Sequence, residues 1–577
     1  MPRSRRTGLS RLTAYLPAQR RRLWLPLAVA TLQAVLNVAV WLVIADGIDE
    51  GVRAGDRERL YFDVAIFGAM LAVLLWCGTY LARALVELGQ SIVLELRRDL
   101  FRHLTTLSLR YFSEQRAGWI ISRLTSDVDT LNEVMSAELG ALVWGVMTIA
   151  FAIVGLFVLD WRLALVTLAA APLVIAAGIW FQRRSRKAFG ETRTTIASVT
   201  AHLAESVAGM TIVQAFGRER AFREEFDRLN RANRASNLYA QRLSSMFFPG
   251  VELFGMLATG AVLLVGATFV ADGSLEIGTL IAAIGVVNLL YDPLTQLSEL
   301  YSQVQSATAA MEKIAAVLDT ETDVADRRDA REAGVLEGRI DLDHVSFAYG
   351  DEPTLVDVDV HVPAGGCLAL VGESGGGKST LAKLVARFHD PQAGTVRVDG
   401  VDVRELRLES YRRNLGVVLQ DPFLFAGTIA SNIRFGRPEA TDEDVRAAAA
   451  AVGVDRVAAR FADGLDHPVR EGGAGLSAGE RQLISIARAL LADPRILVLD
   501  EATSSIDRPT EVLVERALDR LLRGRTSLVV AHRLATVQRA DEILVVEHGR
   551  VVQRGRAAEL LGVDGPFRRL ATADVLG

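Results

Sequence analysis

The residues best suited to chemistry lie in the second half of the chain. An apolar run, CLALV from Cys367, leads into GESGGGKST and then into the helical pattern LAKLVARF. The loop comprises Gly372, Glu373, Ser374, Gly375, Gly376, Gly377, Lys378, Ser379 and Thr380. Strand, glycine-rich loop and helix in that order, with the spacing G-x4-G-K-[ST], make a cradle for phosphate. The glycines let backbone N–H groups curl around an anion, and Lys378 reaches the terminal phosphates of a nucleotide. Ser379 offers its hydroxyl oxygen to magnesium. A structural glycine turn is the bland alternative, and the flanking strand and helix weigh against it.

Far downstream, ILVLDE places four apolar strand residues before Asp500 and Glu501. Carboxylates at the carboxyl end of a buried parallel strand sit where such sheets bind ligands. Asp500 would hold magnesium, directly or through water, and Glu501 would orient and polarise the attacking water. Alone the acidic pair says little; joined to the phosphate loop it points to nucleotide hydrolysis.

Those residues need a sheet to carry them. From Gly338 onward the apolar windows shorten to strand length, as in CLALVG, LGVVLQ, ILVLD, TSLVVAH and EILVVEHG, with helical stretches between them. This is an α/β pattern with a mainly parallel sheet. The stretch ETDVADRRDAREAG is charged and poor in large apolar residues, so 321–337 reads as a linker between a first domain (1–320) and an ATPase domain (338–577).

The first domain has another solvent. Half of the 577 residues are hydrophobic while 23% are charged, so the two kinds must be segregated along the chain. Crossing a bilayer takes about 20 apolar residues, and windows of that kind run from Leu23 to Ala45, Leu60 to Leu85, Ala137 to Leu159, Trp161 to Phe181, Phe247 to Val270 and Ile277 to Leu294. Arg3, Arg5, Arg6, Arg11, Arg20, Arg21 and Arg22 precede the first span and place the start of the chain in the cytoplasm. The first apolar run is too long for a secretory signal and lacks a small-residue cleavage site. Outer connections are short, down to the junction of Asp160 and Trp161. The inner segments 86–136 and 182–245 are long, charged and helical in pattern, so helices are expected to continue past the bilayer. Asn37, Glu252, Asn288 and Asp292 lie in or near the spans, as candidates for a polar cavity or for interhelical hydrogen bonds.

Composition excludes some roles. The net charge of −5 and the lack of a basic, aromatic-interleaved stripe argue against nucleic acid as a partner. The two cysteines, Cys77 and Cys367, fall in different domains and build no disulfide framework. Arginine greatly outnumbers lysine, as in GC-rich bacterial genomes.

With six spans followed by these two nucleotide motifs, the chain resembles an ATP-binding cassette half-transporter of the exporter fold. That fold is a six-helix membrane domain fused to a P-loop domain with a RecA-like core and a helical subdomain. The resemblance covers nearly the whole chain and implies ATP and Mg2+ as cofactors. It also implies that Tyr349 in HVSFAYG stacks on adenine and that Gln420 in VVLQDPFLF senses magnesium and faces the membrane domain. By the same resemblance His532 in VVAHRL contacts the γ-phosphate, and Asp507 in SSID lies in the loop between the two ATP sites.

The most diagnostic element is LSAGERQ, with Leu476, Ser477, Ala478, Gly479 and Glu480, which resembles the family signature at a helix start. In the family fold that terminus cannot reach the phosphate of its own chain, so two cassettes meet head to tail around two ATP molecules. Here Ala478 replaces glycine and Glu480 replaces glutamine. A methyl group at a close approach and an added negative charge would weaken that half-site. A related but different subunit with an unaltered signature is therefore expected as the partner, with a homodimer as the alternative. Arg470 also departs from the pattern, standing where glycine is usual beside Glu471 of the cross-talk loop.

The segments from Tyr111 and from Gly209 resemble the two coupling helices, and LTQLSELYSQVQ the end of the sixth span. The implied function is ATP-driven movement of an amphiphilic or hydrophobic substrate (drug, lipid, peptide or siderophore) across the bacterial cytoplasmic membrane, by export. An importer on the same fold is the nearest rival, and an ATP-gated channel or a non-transporting ATPase of this class are more distant ones.

Overall fold

The computed structural model describes residues 20–350, 352–373, 375–500, 508–531 and 537–572, and their side chains except at 20–23, 137–139, 141, 248, 292, 294–302, 508 and 509. It divides into two compact units. Of the described residues, one holds those up to Thr105 together with Ala117–Thr320, and the other holds Thr106–Arg116 together with those from Glu321 onward.

The first unit is built of long helices: Arg20–Asp46, Arg57–Leu104, Leu139–Leu159, Trp161–Ala169, Ala171–Ala208, Glu219–Ala271 and Ile277–Leu318. Helix Arg57–Leu104 has 48 residues; at about 1.5 Å per residue it is more than twice as long as the hydrocarbon core is thick. Among the described residues five helices are long and apolar enough to cross a membrane, and the sixth expected span is present as the shorter apolar stretch Ile277–Tyr291. The expected span from Trp161 to Phe181 is interrupted at Ala170, where Pro172 enters the first turn of the next helix and lacks the N–H to continue the ladder. Asp160 starts the outer hairpin by accepting from Arg162 N at 2.7 Å and Leu163 N at 3.4 Å.

Side chains from five helices (Val38, Leu156, Leu163, Val262 and Val286) meet in one buried cluster. In lipid such packing depends on small residues that let backbones approach. At Gly285 an added Cβ would overlap the Trp41 ring, so glycine is what lets Ile277–Leu318 seat on Arg20–Asp46. Asp49 closes the outer end of that pair, its carboxylate accepting from Gly278 N at 2.8 Å and Thr279 N at 3.2 Å. On the inner extensions, buried Arg123 pairs with buried Asp127, which also lies 3.3 Å from Lys313 Nζ. Of the polar residues noted in the spans, Glu252 and Asn288 are exposed and Asn37 is half-buried, while the Asp292 side chain lies outside the description.

Among its described residues the second unit carries twelve strands: β1 (Ile340–Ala348), β2 (Pro353–Val362), β3 (Cys367–Val371), β4 (Ala393–Val398), β5 (Val401–Asp402), β6 (Leu415–Val418), β7 (Gly427–Thr428), β8 (Pro468–Val469), β9 (Ile496–Asp500), β10 (Thr526–Val530), β11 (Glu542–Glu547) and β12 (Arg550–Gly555). The main sheet runs β12-β11-β3-β10-β9-β6, parallel except at β12. Its strands are apolar on both faces because both faces are covered. Leu368, Leu370, Val498, Val530 and Leu544 point into the core shared with the antiparallel sheet β2-β1-β4-β5. Ala369, Val371, Leu499, Val529 and Val545 point into the core shared with the helices 442–452, 478–492 and 508–522.

Segment 321–337, expected as a linker, lies against the second unit. Val324 and Leu336 are buried, and fully buried Arg387 donates to Ala325 O at 3.2 Å and to Leu406 O at 2.7 Å. Both cysteines are free, and burial pushes the Cys367 thiol up to about 11, which leaves it unreactive at neutral pH. Because Leu370 is fully buried at the strand that feeds the phosphate loop, Leu370→Ala is expected to destabilise the second unit by about 2–5 kcal/mol. Denaturant titration of the purified protein reads this directly; a shift under about 1 kcal/mol would contradict that core assignment.

Candidate nucleotide site

The phosphate loop begins where β3 ends. Strands β3, β10 and β9 are in register with Leu370 opposite Val530 and Val530 opposite Asp500, so the loop and the acidic residue emerge at the same carboxyl edge. The loop turns through left-handed backbone at Gly375 (φ 82°) and Gly377 (φ 104°), with Gly372 at φ 145°. At Gly372 a side chain would collide with the carbonyl of Val546 on β11, so the neighbouring strand and the turn together require glycine there. Gly377 then caps the helix Lys378–Val385, whose free N–H groups and dipole favour an anion.

Lys378 is 5% exposed, and its ammonium donates to Gly372 O at 2.8 Å and Glu373 O at 2.6 Å. Burial lowers its pKa, and the nearby Asp500 and Glu373 carboxylates act in the opposite direction. Ser379 is half-buried and Thr380 buried. Thr380 Oγ1 donates to Tyr349 Oη at 3.4 Å, which places the ring expected to stack on adenine beside the loop's helix. Tyr349 is 37% exposed and also faces Lys383 Nζ at 5.9 Å. Its backbone carbonyl accepts from Arg110 Nη2 at 3.1 Å, so the segment Thr106–Arg116 sits against the adenine-side loop. Gln420 is exposed just after β6. The groups suited to magnesium (the Ser379 hydroxyl, the Asp500 carboxylate and the Gln420 amide) are all oxygen donors of the kind that ion takes.

The LSAGE segment forms the N-terminus of the helix Ala478–Ala492. Ser477 N–H donates to Glu480 Oε2 at 2.9 Å and Glu480 N–H to Ser477 Oγ at 3.3 Å, a reciprocal capping box. Leu476, Gly479 and Glu480 are buried, Ala478 is half-buried and Ser477 is exposed. Glu480 is also ion-paired with Arg460, a residue the sequence reading did not single out. Its signal is absent from the local sequence, since the partners are brought together by folding over 20 positions. Arg470, which stands where the family pattern has glycine, adopts φ −79° and ψ 162°, extended backbone that needs no glycine. The left-handed positions fall instead on Gly472, Gly473 and Gly475. Ser374, Glu501, Asp507 and His532 lie outside the described residues.

A family model described as ABC transporter transmembrane region matches residues 23–294, and one described as ABC transporter matches residues 355–504. A fatty acid ABC transporter ATP-binding/permease protein of Mycobacterium bovis is 38% identical over 526 residues, 91% of this chain and 82% of that protein. The chain belongs to the ABC transporter family. A second Mycobacterium bovis protein, a multidrug efflux ATP-binding/permease protein, is 37% identical over 95% of this ABC transporter, which spans 46% of that relative's length. The solved structure of a bacterial Atm1-family ABC exporter with ATP bound superimposes with a TM-score of 0.81 at 25% identity, over 96% of this chain and 98% of that one. This ABC transporter is thus a multi-pass membrane protein of exporter architecture, with an ATPase domain coupled to transport.

Since the Lys378 ammonium lies where a phosphate would replace the two carbonyls as its partner, Lys378→Ala is expected to weaken ATP binding by at least about tenfold through loss of charge-assisted bonds. Equilibrium binding of a fluorescent ATP analogue measures it; unchanged affinity would contradict the role of Lys378.

Proposed function

We propose that the chain exports an amphiphilic or hydrophobic substrate across the bacterial cytoplasmic membrane as a dimer of half-transporters. Each Mg2+-ATP is held between the phosphate loop of one cassette and the LSAGE terminus of the other. The observation that carries this reading is a phosphate cradle with a buried lysine in the same chain as helices of bilayer length. Relatives named for fatty acids and for multidrug efflux support an amphiphile as cargo.

In this reading Tyr349 stacks on adenine, and Lys378 with the loop 372–380 binds the phosphates. Ser379, Asp500 and Gln420 hold magnesium; Glu501 polarises the attacking water, His532 contacts the γ-phosphate, and Asp507 links the two sites. ATP favours the closed pair of cassettes because it contacts both, and that differential affinity supplies the work. Hydrolysis replaces the clamp by products that repel each other. Exposed Ile212 in the short helix Met210–Ala215, exposed Phe216 at its end, and the exposed ring cluster of Phe423, Phe425 and Phe435 in the segment after Gln420 are suited to carry the motion between membrane helices and the partner's cassette.

The partner is a related but different half-transporter, a reading that rests on Ala478, whose methyl group narrows the approach to phosphate. Tagged and untagged copies of this chain that copurify as an active ATPase would overturn that pairing. For the mechanism, Glu501→Gln is expected to bind ATP, trap the closed pair and cut turnover by about a hundredfold or more. Turnover near the parent value in lipid-reconstituted protein would remove Glu501 from its role.

A further inference from the structure

Where the family signature carries an amide, this chain carries a carboxylate at a terminus built for an anion. Left alone, Glu480 would oppose that use. Its side chain is 10% exposed, with Oε2 bound to Ser477 N–H and Oε1 ion-paired with Arg460 Nη2. Arg460 follows the short helix Val454–Ala458 and is steadied there. Its guanidinium lies 5.7 Å from the Phe461 ring, which in turn stacks on His467 with centroids 3.6 Å apart. Arg460, whose side chain is 57% exposed, therefore supplies a positive charge from the solvent side at the place where the signature has gained a negative one.

We propose that Arg460 is a positioning residue for ATP hydrolysis: it neutralises Glu480 and holds it in the capping box, so that the Ser477 terminus can close on the γ-phosphate bound by the partner cassette. This rests on the reading that the LSAGE segment completes the partner's site. The physical argument is a sum of charges. A triphosphate is strongly anionic, and an uncompensated carboxylate a few ångströms away repels it more strongly in a closed, poorly hydrated interface than in water. With Arg460 in place, the pair presents no net charge to the phosphate, and the helix N–H groups and the Ser477 hydroxyl are left to act as donors. Glu480 keeps the capping function that its length and acceptor oxygens allow.

The test compares Arg460→Ala, Glu480→Gln and the double variant in the assembled transporter in lipid, measuring kcat and KM for Mg2+-ATP together with the melting temperature. Arg460→Ala is expected to lower kcat/KM by about tenfold, the size expected for one unscreened like charge near phosphate. Measured against Glu480→Gln, the double variant loses less than about threefold, because the pair is coupled and no like charge is left for Arg460 to neutralise. The Arg460→Ala deficit also narrows as salt rises from about 0.05 to 0.5 M, since mobile ions screen the repulsion between the unpaired Glu480 carboxylate and incoming ATP while the interface is still open. Arg460→Lys, which keeps the charge, retains most of the activity and serves if the alanine variant does not fold. An Arg460→Ala protein that turns over like the parent, a double variant as slow as the single one, or a deficit indifferent to salt would each overturn the proposal. Ser477→Arg, which blocks the terminus sterically, tests the underlying reading separately. Full turnover in that variant removes the composite site itself, whereas loss there beside a fully active Arg460→Ala removes only the role of Arg460.

Discussion

Lys378 places its ammonium in a buried loop, where it donates to the carbonyl oxygens of Gly372 and Glu373. A buried ammonium is costly unless something negative faces it. Asp500 contributes from the neighbouring strand edge, and a bound phosphate would contribute far more. The loop's left-handed glycines, the strand that ends in it and the helix dipole that follows all serve that one electrostatic requirement. The two apolar cores above and below the sheet keep β3, β10 and β9 in register so that the charges stay in place.

The signature terminus answers a second version of the same problem. A helix start with free N–H groups attracts any carboxylate within reach, and in this chain Glu480 takes two roles there at once. It caps the helix through Ser477 N–H, and its remaining charge is met by Arg460. The local rule for helix starts and the global demand for an anion site would conflict without that arginine. Ala478, in contrast, is a steric matter, a methyl group that no pairing of charges removes.

The membrane unit works under a different constraint. Its helices are joined by close packing of small residues, as at Gly285 against Trp41, and by a few polar closures outside the apolar layer, such as Asp49 on the start of Ile277–Leu318. Helices that extend well past a bilayer then act as stiff levers, because an α-helix resists bending over several turns. Segment 106–116 belongs by its contacts to the ATPase unit, where Arg110 donates to the backbone carbonyl of Tyr349.

Much of this was legible in the residue order alone. Apolar windows gave the spans, strand-length runs gave the α/β cassette, and G-x4-G-K-[ST] gave the phosphate loop, because each is a short-range pattern written in period and spacing. The interruption at Ala170 was smoothed over by hydropathy, which averages across the single missing N–H of Pro172. The charged stretch 321–337 read as a free linker because its two anchors, Val324 and Leu336, are too sparse to register as a pattern. The sequence by itself determined which chemistry the chain carries, since that depends on residue types at fixed local spacing. Only the tertiary structure decided that Glu480 is neutralised by Arg460, that Arg470 needs no glycine and that 106–116 sits with the cassette. Each of those depends on distances between parts of the chain that folding alone brings together.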